Sequence, residues 1–289
     1  MIGILGFSFK AILVKLAYSW DAVDPVTLLA LRMIYSAPFF AVMAWWASRS
    51  PGVRPMRRPD WLVLLWLGFI GYYLSSLLDF VGLRYITASL ERLVLFLYPT
   101  MVVLLSVALF KERAGGRIWV ALALSYAGIL LVFQHDLRVT DDVDGFWLGS
   151  ASVFAGAFCH ALYLVGAGPV IARLGSLRFI AWAMLTSAIF VVVQFLLTRP
   201  LAALAAPASI QFLSLVMAVF STVLPTFLVA EAIKRIGANR TSLIGSLGPV
   251  FTIGLGWWML GEAVHWIQLI GAALVLGGVT LVTMKPSRP

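Results

Sequence analysis

Long apolar stretches alternate with short polar segments along the whole chain. A helix needs about 17 to 25 apolar residues to cross a bilayer. By that measure the pattern predicts an all-α membrane protein with ten transmembrane helices, over residues 2–18, 26–47, 61–81, 87–109, 117–134, 146–167, 177–197, 209–232, 240–260 and 265–284. The connections are short and carry turn signals such as Asp24-Pro25 and Gly115-Gly116, so we expect the function to lie among the helices.

The composition supports a membrane class and excludes several others. Of 289 residues, 62% are hydrophobic and 11% charged, whereas about a quarter of the residues in a soluble domain are charged. The net charge of +9 does not indicate a nucleic-acid partner, because the basic residues flank apolar stretches and form no separate domain. With Cys159 as the single cysteine, no intramolecular disulfide and no zinc-binding spacing is possible. We therefore predict neither a metal nor a cofactor.

Lysine and arginine are unevenly divided between the two predicted sides of the membrane. Fourteen lie on the side of the termini and three on the opposite side, which places both termini in the cytoplasm. We expect an integral protein of a bacterial inner (plasma) membrane. Because the chain enters its first apolar stretch almost at once, we also expect a short N-terminal piece to be missing from this sequence.

The two halves of the chain resemble each other. A shift of 150 residues aligns 86–132 with 236–282 without a gap. Leucine and alanine matches mean little in such a composition, but a proline, a glutamate and a glycine also coincide in this frame: Pro99/Pro249, Glu112/Glu262 and Gly128/Gly278.

This repeat predicts the architecture. Each half contains five predicted helices, and because five is odd the second half must cross the membrane in the opposite sense. We predict two inverted five-helix repeats around a central cavity: residues 1–134, an outer acidic linker over 135–145, and residues 146–289. A duplication kept only for stability is the alternative.

Three stretches resemble the drug/metabolite transporter superfamily, specifically two tandem EamA-type domains. They are "LLALRMIYSAP" (28–38), "LDFVGLRYITASLERLVLFLYPTMVVLLSVALFKER" (78–113) and the glycine-rich region over 230–282. The resemblance covers nearly the whole chain, although the first helix lacks the usual Trp-Gly approach. It implies ten helices, a cavity between the halves, and export or exchange of small metabolites, without fixing the substrate.

Four charged residues fall at similar depths near the outer ends of helices 2, 3 and 4. They are Arg32, Asp79, Glu91 and Arg92. Glu91 lies four residues inside helix 4, or about 6 Å at 1.5 Å per residue. We hypothesise an external charge network that opens and closes with transport. Alternatively, Arg92 reaches the outer headgroups, Glu91 pairs with a neighbouring helix and Arg32 is structurally paired.

Lys10 and His160 occupy equivalent positions in the two repeats, near the middle of helices 1 and 6. A lysine facing lipid would be costly, so we expect both side chains to line the cavity. There Lys10 would attract an anionic group and His160 would sense protons. An interhelical hydrogen bond is the alternative for His160.

Two further groups complete the predicted sites. Pro99 and Pro249 interrupt the backbone hydrogen bonds and can turn a carbonyl toward the cavity, with Tyr98, Gly245 and Gly248 beside them. Small residues there could equally serve close packing. On the inner side, Glu231, Lys234 and Arg240 form a second charged cluster, for which ordinary salt bridges at a helix end are the alternative.

These features predict a secondary active transporter that exports or exchanges amino-acid-like or amphipathic metabolites by alternating access. Its partners would be the lipid bilayer and a small-molecule substrate. Protons are one candidate coupling ion, and substrate exchange and facilitated diffusion are the alternatives to proton exchange. A passive channel or facilitator is one alternative, but nothing resembles a selectivity filter. An intramembrane enzyme is another, yet the chain has no H-E-x-x-H run and no serine between the required glycines. We therefore expect no enzymatic activity.

Overall fold

The structure is a computed structural model that describes residues 2–49, 55–111, 115–236, 241, 244–245 and 247–283. Every regular element in these ranges is a helix. Eight helical segments of the described chain are long and apolar enough to cross a membrane, and two shorter apolar helices follow, Gly248–Leu260 and Trp266–Leu281. The prediction of an all-helical membrane protein is confirmed, while ten spans in two inverted halves remain a prediction.

Thirteen α-helices, numbered in chain order, make up most of the described part. Three π-helical segments of the described chain continue neighbouring helices without a break: Phe69–Leu74, Val219–Val223 and Gly256–Leu260. The α-helices are α1 (Ile2–Trp20), α2 (Pro25–Ser48), α3 (Arg58–Gly68), α4 (Ser75–Gly82), α5 (Ala88–Leu95), α6 (Tyr98–Phe110), α7 (Gly116–Val139), α8 (Val143–Leu174), α9 (Ser176–Thr198), α10 (Ala208–Ala218), α11 (Leu224–Ile236), α12 (Gly248–Leu255) and α13 (Trp266–Thr283).

Side-chain caps start several helices where the sequence has Asp or Thr. Asp24 accepts hydrogen bonds from the backbone N–H groups of Val26 and Thr27, and Pro25 occupies the first turn of α2. Thr87 caps α5 through the N–H of Leu90. These caps satisfy donors that have no partner within the helix.

The segment 135–145, predicted as an outer linker, is mostly helical. Helix α7 continues to Val139 and α8 begins at Val143, so only residues 140–142 lie between them. The acidic residues at the end of α7 do not mark a loop, because Asp136 is buried and its carboxylate accepts a hydrogen bond from the Thr87 hydroxyl at 3.3 Å.

Interruptions of the helices recur at a spacing of 150 residues. The π-helical segments begin at Phe69 and Val219. Likewise α6 begins at Tyr98 and α12 at Gly248, each with a proline at its first turn. The prolines therefore start new helical segments instead of kinking continuous ones. The π-helical segments have no signal that sequence reasoning could have used.

Helices of the two halves pack against one another throughout the bundle. Helix α1 contacts α11 and α12, α8 contacts α4 and α6, α2 packs on α9, and α7 packs on α13. Glycines allow the closest approaches. A Cβ atom added to Gly128 would lie 2.6 Å from the backbone oxygen of Gly271, so α7 and α13 are nearly in backbone contact.

Candidate functional site

Two buried carboxylates and one partly buried lysine meet where α1, α4 and α5 come together. The Nζ atom of Lys10 lies 2.7 Å from Oδ2 of Asp79 and 3.9 Å from Oε1 of Glu91. The side chains are 18%, 2% and 0% exposed, respectively. Lys10 is near the middle of α1, so this charge cluster lies deep in the bundle. We call Lys10, Asp79 and Glu91 the charge cluster.

Local structure brings the two carboxylates to the lysine. The π-helical segment Phe69–Leu74 widens the turn before α4 and changes the face on which Asp79 emerges. Ser75 at the start of α4 donates a hydrogen bond to the backbone oxygen of Gly156 at 2.9 Å, which fixes α4 against α8. The Thr87 cap starts α5, so that Glu91 falls in its first turn.

Glu91 is the least compensated member of the charge cluster. Its distance from Lys10 is 3.9 Å, whereas that of Asp79 is 2.7 Å, and the oxygens of both carboxylates receive no hydrogen bond from outside the charge cluster among the described residues. Its carboxylate lies near enough to that of Asp79 for the two to interact. The cluster thus pairs one lysine with two acidic groups that are shielded from water.

The two arginines predicted to join these carboxylates interact with them electrostatically, but their close contacts are with other groups. The guanidinium of Arg32 lies over the Phe80 ring, 4.8 Å from its centroid. Arg92 donates from Nε to the Thr252 hydroxyl at 3.0 Å and from a terminal nitrogen to the backbone oxygen of Phe7. Asp79 and Glu91 therefore lie next to Lys10, which the sequence analysis had grouped with His160 and not with these carboxylates. Arg92 instead connects α5 to α12 of the second half.

His160 lies among aromatic rings close to the charge cluster. Its ring centroid is 5.3 Å from that of Tyr98 and 5.5 Å from that of Tyr163. The hydroxyl groups of Tyr163 and Tyr72 are 3.0 Å apart. His160 also interacts with the backbone of Gly71. The equivalent positions Lys10 and His160 therefore have different surroundings, one ionic and the other aromatic.

The remaining predicted residues have partners outside the charge cluster. Ser8 donates a hydrogen bond to the backbone oxygen of Gly248 at 3.1 Å, beside Pro249, and a Cβ atom on Gly245 would meet no atom within 4 Å. Near the C-terminal end of α11, Nε of Arg235 lies 2.7 Å from Oε1 of Glu231. Arg240 and the side chain of Lys234 lie outside the described residues.

Sequence reasoning missed Glu262 as a site residue. Its carboxylate accepts hydrogen bonds from the backbone N–H groups of Ala88 and Ser89, at 2.8 and 3.4 Å, and from the Ser89 hydroxyl at 3.1 Å. Nearby, Lys15 donates to the backbone oxygen of Ile86 at 2.7 Å. The match of Glu112 with Glu262 in the repeat was a signal for this residue, but its partner could not be inferred from one sequence.

No group of three or more His, Cys, Asp or Glu side chains in the described ranges has the geometry to hold a metal ion. What the arrangement offers chemically is one partly buried lysine beside two buried carboxylates, all three from the first half of the chain. Such a set can bind and release a proton or a charged group.

Comparison with known proteins gives a consistent family match. The sequence model of the EamA-like transporter family matches residues 1–134 and 147–284. The uncharacterized transporter YcbK of Bacillus subtilis is 31% identical over 98% of this chain and 89% of its own length. The uncharacterized inner membrane transporter YhbE of Escherichia coli is 24% identical, with coverage of 89% and 82%.

A solved structure supports the same fold. It covers 97% of this chain and 95% of its own chain with a TM-score of 0.64, at 21% sequence identity. At that identity the likeness concerns the fold alone.

Proposed function

The chain belongs to the EamA-like transporter family, and from this premise we propose that it is a secondary active transporter of small metabolites that works by alternating access. Two inverted five-helix repeats, with both termini in the cytoplasm, would rock about the charge cluster and open it to each side in turn. Its substrates would be amino-acid-like or amphipathic compounds, and it would export or exchange them.

The contacts between helices support the inverted repeat. A shift of 150 residues converts the contact of α4 with α8 into a contact of α11 with α1, and both contacts are present. It likewise converts the contact of α6 with α8 into that of α12 with α1. Reciprocal contacts of this kind are expected for two halves related by a pseudo-two-fold axis.

The observation that carries the coupling proposal is the fully buried Glu91 carboxylate, which lies 3.9 Å from Lys10, while Asp79 lies at 2.7 Å from the same lysine. A carboxylate that is only loosely paired inside a membrane protein is costly. A proton on Glu91 removes this cost, whereas an ionised Glu91 competes with Asp79 for Lys10. We assign Glu91 as the residue that loads and releases the coupling proton, with Asp79 holding Lys10 in place.

Counterflow in proteoliposomes tests this proposal. Vesicles loaded with members of a metabolite panel should accumulate the same labelled compound from outside, and an imposed pH gradient should drive net accumulation. Glu91→Gln should keep counterflow but lose accumulation driven by the pH gradient, because an amide cannot exchange the proton.

The exposed Asp141 provides a matched control, since Asp141→Asn also removes one carboxylate but far from the charge cluster. This variant should behave as the wild-type protein does. Flux without trans-stimulation would indicate a passive channel, and chemical change of the substrate would indicate an enzyme. Gradient-driven accumulation that survives Glu91→Gln would refute the role of Glu91.

A further inference from the structure

One carboxylate of the second half closes the start of a helix in the first half. Glu262 receives three hydrogen bonds from Ala88 and Ser89, which are the first two residues of α5. In the sequence these partners are 174 and 173 residues away from it. By the distribution of lysine and arginine, this end of the bundle faces the outside of the cell.

The contact is of a strong kind. The first backbone N–H groups of a helix have no partner within the helix, and a negative charge there also interacts favourably with the helix dipole. Hydrogen bonds to an ionised acceptor are roughly twice as strong as neutral ones. Lys15 reinforces the same region, because it binds the Ile86 backbone and is attracted electrostatically to Glu262.

Two glycines build the position of this carboxylate. Gly261 has a φ of 66°, in the left-handed region that favours glycine, and it reverses the chain just before Glu262. The Glu262 N–H then donates to the backbone oxygen of Gly256 at 3.1 Å. A Cβ atom on Gly256 would lie 2.9 Å from the Glu262 carboxylate and 3.7 Å from the Ser89 hydroxyl. The glycine therefore leaves the space that the carboxylate occupies.

We propose that Glu262, Ala88 and Ser89 form a latch that closes the outer side of the transporter and must break each time that side opens. This inference rests on the proposed alternating-access function. If the halves rock against each other, a contact that joins α5 to the segment after α12 is stretched whenever the outer ends separate. Glu262 is then a positioning residue that sets the balance between outward-closed and outward-open states.

Hydrogen–deuterium exchange measures the latch without any substrate. In purified protein, the peptide that covers residues 86–95 should exchange faster in Glu262→Gln and in Gly256→Ala than in the wild type. Gly254→Ala is the matched control, since a Cβ atom on Gly254 would meet nothing within 4 Å. Unchanged protection of residues 86–95 in both latch variants would overturn the proposal.

Cysteine labelling measures the state of the outer side. Val14 is fully buried and adjoins Lys15 on α1, so a single Val14→Cys change, with Cys159→Ala, gives a reporter between the charge cluster and the outer end. In right-side-out vesicles, an impermeant maleimide should label this reporter about tenfold faster in Glu262→Gln than in the wild type, because one or two charge-assisted hydrogen bonds weaken.

The outcomes separate the latch from the transport proposal. Labelling in Glu262→Gln at the rate of the Gly254→Ala control would refute the latch, even if counterflow succeeds. Faster exchange at residues 86–95 with faster labelling would support it, even if no metabolite of the panel is transported. Glu262→Gln removes the charge of the latch and Gly256→Ala displaces its carboxylate, so if one of them fails to fold the other still decides the question.

Discussion

Removal of Lys10 should destabilise the protein far more than removal of Asp79. At an effective dielectric constant of 20, a unit charge pair at the Lys10–Asp79 distance of 2.7 Å attracts by about 6 kcal/mol, and at the Lys10–Glu91 distance of 3.9 Å by about 4 kcal/mol. The cost of taking these groups out of water offsets most of this attraction. Lys10→Met leaves two buried carboxylates without their ion-pair partner. Arg32 and Arg92 attract these carboxylates electrostatically but form no ion pair with them among the described residues, so we expect a loss of about 3–5 kcal/mol. Asp79→Asn keeps the ion pair of Lys10 with Glu91, so its cost should be smaller.

A double-mutant cycle tests this reasoning. Unfolding free energies of purified protein, measured by denaturant titration in mixed micelles, should show that Asp79→Asn partly rescues Lys10→Met, with a coupling of about 1–3 kcal/mol. Lys15→Met is the matched control on the same helix, because Lys15 binds a backbone oxygen and not the charge cluster. Asp79→Asn should not rescue it. The reasoning is refuted if Lys10→Met is no more destabilising than Asp79→Asn. It is also refuted if the losses of unfolding free energy in the two single variants add up to the loss in the double variant.

Three further predictions concern other parts of the molecule. Gly278→Ala should destabilise the folded protein by about 1–3 kcal/mol, because the added Cβ atom would lie 2.5 Å from the Ala121 backbone oxygen. Gly277→Ala should leave the stability unchanged, because a Cβ atom there would meet nothing within 4 Å. Thermal unfolding distinguishes the two variants. Burial alone would raise the pKa of Asp24, but hydrogen bonds from Thr27 and Arg199 hold it below its ordinary value of 3.8. Asp24→Asn keeps the cap, because Asn caps a helix as well as Asp does, and it loses the partly exposed ion pair with Arg199, so it should cost about 0.2–1 kcal/mol at neutral pH. A pH titration of stability should show this difference disappearing as the pH falls through the lowered pKa. Arg92→Lys should slow substrate exchange in the counterflow assay, because a lysine lacks the planar guanidinium that binds both the Thr252 hydroxyl and the Phe7 backbone. Thr252→Val added to Arg92→Lys should slow substrate exchange no further.

Sequence reasoning could predict the class of fold because hydrophobic length and charge asymmetry are properties of the chain itself. It also singled out Lys10, Asp79 and Glu91, because charges in apolar stretches are visible without a structure. It could not say that they meet. The depth of each residue in the membrane was estimated from uninterrupted helices, but α5 ends at Leu95. In addition, the π-helical segment before α4 changes the side of the helix on which Asp79 lies. Glu262 was missed for a different reason, since its partners are backbone N–H groups, which no sequence pattern marks.

Helix α5 connects the charge cluster to the latch, and this places a physical requirement on coupling. Ser89 and Glu91 are two positions apart in one short helix, about 3 Å along its axis. Glu262 holds the first turn of that helix from the second half, while Lys10 attracts it from α1. Protonation of Glu91 removes the attraction to Lys10, so it weakens one of the two forces that fix α5. A proton loaded at Glu91 can therefore change the position of α5, and with it the strength of the outer closure, without any contact between the proton and Glu262.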